Sequence, residues 1–360
     1  MTCKQIFSND EIIALMSVIA NARVRSKRLF PSKARFFMIS VVIPLYNKSH
    51  TIKRTLASVL AQTFEDFEVV IVNDGSKDDG VQVIRDFTSD PRVRIVEQFN
   101  QGVSVARNNG VAAAKWEWIA FLDGDDEWYP DYLKTVKAAM DRFPDVGMIC
   151  SGRYENMFGP DGTEASSRLA VARKYAGKIQ EVDYFENPHV FTHTSTSVVR
   201  KDAFHKAGQF PPEIKYQEDF ALFYSVGLVT KVAYCGFPLG IYWGGVAGQA
   251  TSQIPRVVRI PGYYQRFNRC HDLWEKLGRK NATFPIFEKY EMRACFLGLL
   301  REGDIDSITL ILDHLDSRLA RSFPGFELAL YRNPVWNRLA MAYVYLTKLL
   351  WRTHGFPVVG

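Results

Sequence analysis

Cysteine is scarce and unpaired in this sequence: Cys3, Cys150, Cys235, Cys270 and Cys295 are scattered over 360 residues, without one C-x-x-C pair. An odd, dispersed set of this kind supports neither a disulfide framework nor a zinc site, and it fits a reducing compartment. Long apolar runs are missing too. None reaches the roughly 18 residues expected of a spanning helix. The nearest approach is Leu339 to Leu350. Charge is nearly balanced, with a formal excess of +6 from 45 Lys and Arg against 39 Asp and Glu. Such a mild positive balance suits a polyanion or an anionic membrane surface without identifying either, and nucleic acid is not expected as a partner. Internal repeats and low-complexity tracts are absent. What remains, 47% hydrophobic and 23% charged residues, suffices for one large domain with appendages or for two domains.

The first 37 residues stand apart. Their apolar piece, Ile12 to Ala20, follows Asp10 and Glu11 and precedes Arg23, Arg25, Lys27 and Arg28, the reverse of the charge order in a secretory signal. Met38 directly precedes the first clear strand, so residues 1–37 are read as an unstructured N-terminal extension, dispensable or even upstream of the true start. From Ile39, β-branched runs alternate with amphipathic segments, the signature of a βαβ sheet. Strands are expected at Ile39 to Leu45, Val69 to Val72, Arg92 to Val96, Trp118 to Leu122 and Val146 to Cys150. Between them come a helix capped by Ser49 with Ile52, Leu56, Val59 and Leu60 at helical spacing, then Val81 to Phe87, Gly102 to Ala114, and a helix opened by Pro130. The polar stretch from Ser151 to Gly177 reads as a flexible loop over a site. Thereafter Thr196 to Val199 reads as a strand, and Lys201 to Ala207 and Asp219 to Leu228 as helices. Helical periodicity beyond Tyr263 sets a C-terminal helical region at 251–360 behind an α/β domain at 38–250.

Sheets of this kind bind ligands beyond the carboxyl ends of their strands, and the polar clusters of the sequence fall at such ends. Phe121-Leu-Asp-Gly-Asp-Asp126 runs an apolar strand into three acids. Their mutual repulsion is most simply relieved by a divalent cation held with substrate phosphates, although an acidic solvated turn gives the same pattern. In Val70-Ile-Val-Asn-Asp-Gly-Ser76, Asp74 can accept from an imide N–H of a base; an ordinary turn is the plainer alternative. After Pro44, Tyr46 can stack on a base and Asn47 bond to it, or the tyrosine can belong to the core. Asn100-Gln-Gly102 precedes a helix bearing Arg107 and Asn108, a combination that favours a phosphate or a uracil-type edge.

Taken in order, these pieces resemble glycosyltransferase family 2, the inverting, nucleotide-sugar-dependent enzymes of the GT-A fold. The matching text is Ser40-Val-Val-Ile-Pro-Leu-Tyr-Asn47, Val72-Asn-Asp-Gly-Ser76, Asn100-Gln-Gly-Val-Ser-Val-Ala-Arg-Asn108 and Phe121-Leu-Asp-Gly-Asp-Asp-Glu-Trp-Tyr-Pro130. The resemblance covers about Ile39 to Trp243 and is strongest before Cys150. It implies a Rossmann-like, mostly parallel sheet flanked by helices, with Pro44, Tyr46, Asn47, Asp74, Asn100 and Arg107 lining a nucleotide pocket. It further implies Asp123 as a ribose or uridine-side contact and Asp125 as the ligand of Mg²⁺ or Mn²⁺. Gly208-Gln-Phe210 and Gln217-Glu-Asp219 resemble the family's Gly-x-Phe and Glu-Asp motifs, which makes Asp219 the general base and Glu218 its neighbour in the substrate site; an N-cap is the alternative role for Asp219. Trp128 is assigned an acceptor sugar or the closing of the sheet end. One departure stands out: Tyr242-Trp-Gly-Gly-Val-Ala-Gly-Gln249 lacks the histidine many relatives carry there, which leaves the metal's third protein ligand open.

The resemblance thus implies transfer of a sugar from a nucleotide-diphosphate sugar, uridine diphosphate by family habit, to a glycan or lipid-linked acceptor in cell-surface polysaccharide synthesis. A sugar-nucleotide-binding protein without catalysis is the alternative. A nucleotidyltransferase would want a Gly-rich, basic loop after the first strand, and Leu45-Tyr-Asn-Lys-Ser-His50 lacks one. The segment Trp336 to Arg352, apolar with Trp and basic residues at its ends, suits peripheral contact with the inner face of the plasma membrane or burial against the catalytic domain. The expected location is cytoplasmic.

Overall fold

A computed structural model describes residues 38–158, 164–245 and 254–352, and their side chains except at 158, 164, 165 and 348–352. The expected extension at 1–37 and the boundary at 250 lie outside the described residues. Strands β1 (Ile39–Leu45), β2 (Phe67–Asp74), β3 (Val93–Gln98) and β4 (Trp118–Phe121) run parallel in the order β3-β2-β1-β4. Every residue of β2 is buried, and all of β1 but Pro44, as expected where helices cover both faces of a parallel sheet. Pleating sends Val42, Val70 and Val72 to one face and Val41, Ile43, Val69 and Ile71 to the other.

Helix α1 (Ile52–Leu60), α2 (Gly80–Phe87), α3 (Val103–Ala113) and α4 (Tyr132–Arg142) connect or follow these strands. Thr51, not Ser49, stands at the N-cap of α1. Ser49 is absorbed elsewhere: its backbone N–H donates to Asp78 at 2.8 Å. Helix α3 lies unusually close to the sheet, because a Cβ on Gly110 would come within 2.3 Å of Val42 Cγ1.

Beyond β4 the sheet becomes mixed. A two-residue strand, β5 (Glu127–Trp128), is followed by β6 (Val146–Phe158), β7 (Glu164–Ala170), β8 (Ile179–Val182), β9 (Ser197–Arg200) and β10 (Lys231–Gly244). The full order is β3-β2-β1-β4-β9-β6-β10-β5, with β9 antiparallel to both neighbours and β6 parallel to β10. The loop expected from Ser151 is a ribbon instead. Strand β6 runs on to Phe158 and pairs antiparallel with β7, Arg153 opposite Ala170 and Ser167 opposite Asn156. Helices α5 (Lys201–Lys206) and α6 (Glu218–Val229) follow β9 and lead into β10.

The C-terminal region consists of helices α7 (Arg256–Lys276), α8 (Phe284–Glu302), α9 (Ile305–His314), α10 (Gly325–Arg332) and α11 (Asn337–Arg352), with one-turn pieces between them. Helix α7 starts before Tyr263 and carries Pro261 in its second turn. Its Gly262 lets the helix meet the backbone of Tyr216, whose carbonyl oxygen lies 2.5 Å from where a Cβ would stand. A separate core around Phe267, Phe296, Ile311, Tyr331 and Val344 holds these helices together. No described helix is long and apolar enough to cross a membrane.

Candidate active site

The parallel registers align the carboxyl ends of β1, β2, β3 and β4: Leu45 sits beside Asn73, and Asp74 beside Gln98. Three loops leave this edge together. Asn47 takes a left-handed conformation (φ 52°), uncommon for a residue other than glycine but tolerated by asparagine. Its side-chain oxygen accepts from the Lys77 N–H at 2.8 Å, and its own N–H donates to Ser76 Oγ at 3.2 Å. Asn47 therefore ties the β1 loop to the β2 loop. The neighbouring Tyr46 is 43% exposed at the rim, where a ring can receive a flat base.

Asp74 is buried and already well supplied with donors: Gln98 Nε2 at 2.7 Å, the Gln101 N–H at 2.8 Å and the Gly102 N–H at 2.9 Å. It clamps the turn that enters α3, whose N-cap is Gly102. Asn100 lies in that turn, its backbone nitrogen 2.9 Å from where a Cβ on Gly75 would stand. Asn108 faces away from the pocket, exchanging both amide groups with the backbone of Phe210.

One turn into α3, Arg107 is buried at the centre of the site. Its guanidinium donates to Asp123 Oδ1 at 2.7 Å and to Glu218 Oε1 at 3.2 Å, and it lies over the Phe210 ring at 5.0 Å. Thus one arginine joins the acid motif after β4, 16 residues on from it, to the acid pair that opens α6, 111 residues on from it. The N-cap of α6 is Gln217, held at φ 64°, so Asp219 belongs to the first turn and is not the cap. Its Oδ1 accepts from the Phe220 N–H at 2.8 Å. Burial raises the Asp219 carboxyl above its ordinary value, against the pull of Arg107. Glu218 is pushed up to about 7, first by burial and then by the charge of Asp219, again opposed by Arg107. This pair holds a proton to higher pH than free carboxylates do.

The other acids divide by environment. Asp126 is buried, accepts from Ser195 Oγ and from the Trp243 N–H at 3.1 Å, and is held well above the usual range by burial and by Asp125 and Asp123. Asp125 pairs with Lys48 Nζ at 2.5 Å. Among the described residues no three His, Cys, Asp or Glu converge as a metal cage. Magnesium and manganese do not require one, since one or two carboxylates plus substrate phosphates suffice. Asp125 fits that smaller donor set as the single carboxylate, with Lys48 on its Oδ2.

Trp128 is only 4% exposed, stacks on Tyr132 at 4.3 Å and donates its indole N–H to the Ser195 carbonyl. It closes the sheet end, and no face is open to an acceptor sugar. The histidines are engaged as well. His193 lies 4.8 Å from the Tyr242 ring and is pushed down to about 3 by burial, with Arg153 and Arg107 adding to the effect. His189 bonds Glu291 at 2.7 Å. Sequence reasoning missed Lys48 and Ser195 because a single lysine or serine in a loop carries no pattern. It also grouped Asp126 with the two other acids of its motif, and only the fold separates it from them.

Residues 40–208 match the model of glycosyl transferase family 2. Over 99 residues the chain is 40% identical to the uncharacterized glycosyltransferase YibD of Escherichia coli (strain K12), which is 27% of this chain and 29% of that protein. An uncharacterized glycosyltransferase of Rickettsia prowazekii (strain Madrid E) is 24% identical over 199 residues, 55% of this chain and 61% of its own length. Matches to such curated relatives span between 14% and 61% of the relatives' length. In three dimensions it is similar to the crystal structure of S. aureus TarS 1-349 in complex with UDP-GlcNAc, with a TM-score of 0.63, 18% identity and coverage of 89% of this chain and 93% of that one. At such identity the likeness shows the GT-A fold alone.

Proposed function

We propose, from the match of residues 40–208 to the glycosyl transferase family 2 model, that the chain transfers a sugar with inversion from a nucleotide-diphosphate sugar to a hydroxyl of a glycan or lipid-linked acceptor. The observation that carries this reading is Arg107 bridging Asp123 and Glu218, which sets Asp219 in the same buried site as the nucleotide-side acid motif. Uridine diphosphate is the favoured donor nucleotide, supported by the TarS structures in complex with UDP-GlcNAc and with UDP. Tyr46 would stack on the base, and Asp123, with Arg107 behind it, would face the ribose. Asp219 would take the proton of the acceptor hydroxyl as its oxygen attacks the anomeric carbon. The bond from that carbon to the diphosphate oxygen breaks on the opposite face, so a single displacement inverts the centre. Asp125 would hold Mg²⁺ or Mn²⁺ together with substrate phosphates, and the cation would neutralise charge on the departing diphosphate.

A catalytically inactive sugar-nucleotide-binding protein is the second reading, and the intact Asp125 and Asp219 favour the active one. The proposed setting is cell-surface polysaccharide synthesis at the cytoplasmic membrane face, with peripheral contact through α11. Unpaired cysteines at 150, 235, 270 and 295 support a reducing compartment. The test is a panel of nucleotide sugars with Mn²⁺ and glycan or lipid-linked acceptors, reading released nucleoside diphosphate. Release with one donor and acceptor establishes transfer, and silence across the panel favours the inactive reading.

A further inference from the structure

Lys48 is the residue of this site whose position the proposed reaction does not yet use. It follows Asn47 in the β1 loop, its stem passes over Gly124, where a Cβ would meet Lys48 Cγ at 3.6 Å, and its ammonium reaches Asp125 Oδ2 at 2.5 Å. The side chain is 13% exposed and the carboxylate 10%, so this pair is shielded far more than an ordinary surface bridge. The pairing also fixes a conflict of charge. An ammonium and a divalent cation cannot share one carboxylate oxygen, because like charges a few ångströms apart repel strongly where water is scarce. A cation that takes Asp125 Oδ2 must therefore displace Lys48 from it. The loop geometry leaves the lysine at the mouth of the same edge, where the only anion that arrives with the cation is the donor diphosphate.

We propose that Lys48 is an exchangeable counter-ion: it holds Asp125 in the donor-free protein and passes to the diphosphate when a divalent cation displaces it. This deepens the functional reading above and rests on its assignment of Asp125 to the cation. Lys48 thereby makes the cation and the donor bind together. Without donor, the cation must break the Lys48–Asp125 ion pair; with donor, the ammonium released from Asp125 gains a new anion. Lys48 acts as a positioning residue and takes no part in proton transfer.

The experiment measures Mn²⁺ binding to the metal-stripped full chain by calorimetry, then uridine diphosphate binding at saturating Mn²⁺, for wild type, Lys48→Met and Lys48→Gln. The expected result is a split of opposite sign: roughly ten-fold tighter Mn²⁺ binding without nucleotide, and roughly ten-fold weaker nucleotide binding with Mn²⁺, each a change of one ion-pair's order. A merely structural lysine would weaken both or neither. Either variant that retains the wild-type circular dichroism spectrum decides the matter. If Mn²⁺ binds wild type and variant equally, the exchange is overturned while Asp125 keeps its cation. If Mn²⁺ binds neither, and Asp125→Asn changes nothing, the cation assignment fails and the exchange with it.

Discussion

Asp219 and Glu218 are adjacent carboxylates with different work to do, and their environments separate them. Asp219→Asn is expected to lower turnover by about 10²–10⁴, the usual contribution of a positioned base, while uridine diphosphate binding stays within about two-fold. Steady-state kinetics beside calorimetry check this, and near-normal turnover would move the base to Glu218. The pH dependence follows from the same site. A base must be ionised, and burial raises the Asp219 carboxyl, so the acid limb of the rate profile should lie above the ordinary carboxylate value of about 4. Stability runs the other way. Glu218 titrates at about 7 in the folded protein against a reference of 4.5, so the folded state binds this proton more tightly than the unfolded chain. Its contribution is full below about 4.5 and is lost as pH rises through about 7. The melting temperature of Glu218→Gln relative to wild type should therefore rise between about pH 5 and about pH 8; a constant difference would contradict the raised value. Of this site, the acids and Arg107 were legible in the sequence because they stand in short motifs at strand and helix ends. That Asp74 would be claimed by Gln98 and two backbone amides, or Trp128 by Tyr132 and Ser195, was not. Those partners come from other segments, and local spacing contains no trace of them.

Among the elements, α3 sets the site, since Arg107 lies one turn before Gly110 and the glycine sets how closely the helix meets β1. Gly110→Ala would force a methyl into Val42 Cγ1, 2.3 Å away, and Val72 Cγ2, 3.2 Å away. Overpacking of this type costs about 1–3 kcal/mol, and the shift should also weaken nucleotide binding through Arg107. Gly298→Ala in α8 is the matched control. Nothing lies within 4 Å of its Cβ, so the helix should gain about 0.4–1 kcal/mol. Chemical denaturation of both variants checks the pair, and equal effects would show that helix propensity decides at both positions. The β1 to β4 half of the fold was readable because fully buried strands are continuous apolar runs and the helices between them keep a 3.6-residue period. The other half hid for physical reasons. Beyond Ser151, β6 and β7 form a ribbon with polar side chains such as Asn156 and Ser167 paired across it, so its strands lack the apolar runs that mark the parallel half. Strand β10 carries Gly236, Pro238 and Gly240, which read as breakers. The structure accommodates Pro238 at register shifts, between the residues that pair with β8 and those that pair with β5.

For the molecule as a whole, the unanswered surface is the outer side of α11 and the turn before it. Ala340 and Val344 are fully buried in the C-terminal core, so the helix is docked on one side, as the sequence allowed. Its opposite side is apolar as well. Val335, Leu339, Ala342 and Leu346 recur at helical spacing and are exposed, Leu339 by 61% and Leu346 by 62%, with Trp336, Arg332 and Arg338 beside them. The side chains of Lys348, Trp351 and Arg352, which the sequence reading also used, lie outside the described residues. An apolar stripe with an indole and guanidinium groups at its edges matches the layering of a lipid interface, where rings and cationic ends sit at headgroup level. The full chain should therefore float with vesicles containing anionic lipid at low salt, and less so as salt screens the arginines over a Debye length of about 10 Å at 0.1 M. Cutting the chain near Tyr331 would remove Ala340 and Val344 from their core and confuse lipid contact with unfolding. Exposed substitutions avoid that difficulty: Leu339→Glu with Leu346→Glu should leave the melting temperature nearly unchanged and abolish flotation. Should the wild-type chain stay in the soluble fraction with anionic vesicles at low salt, or the double variant float equally well, α11 is not a membrane contact and its exposed stripe needs another partner.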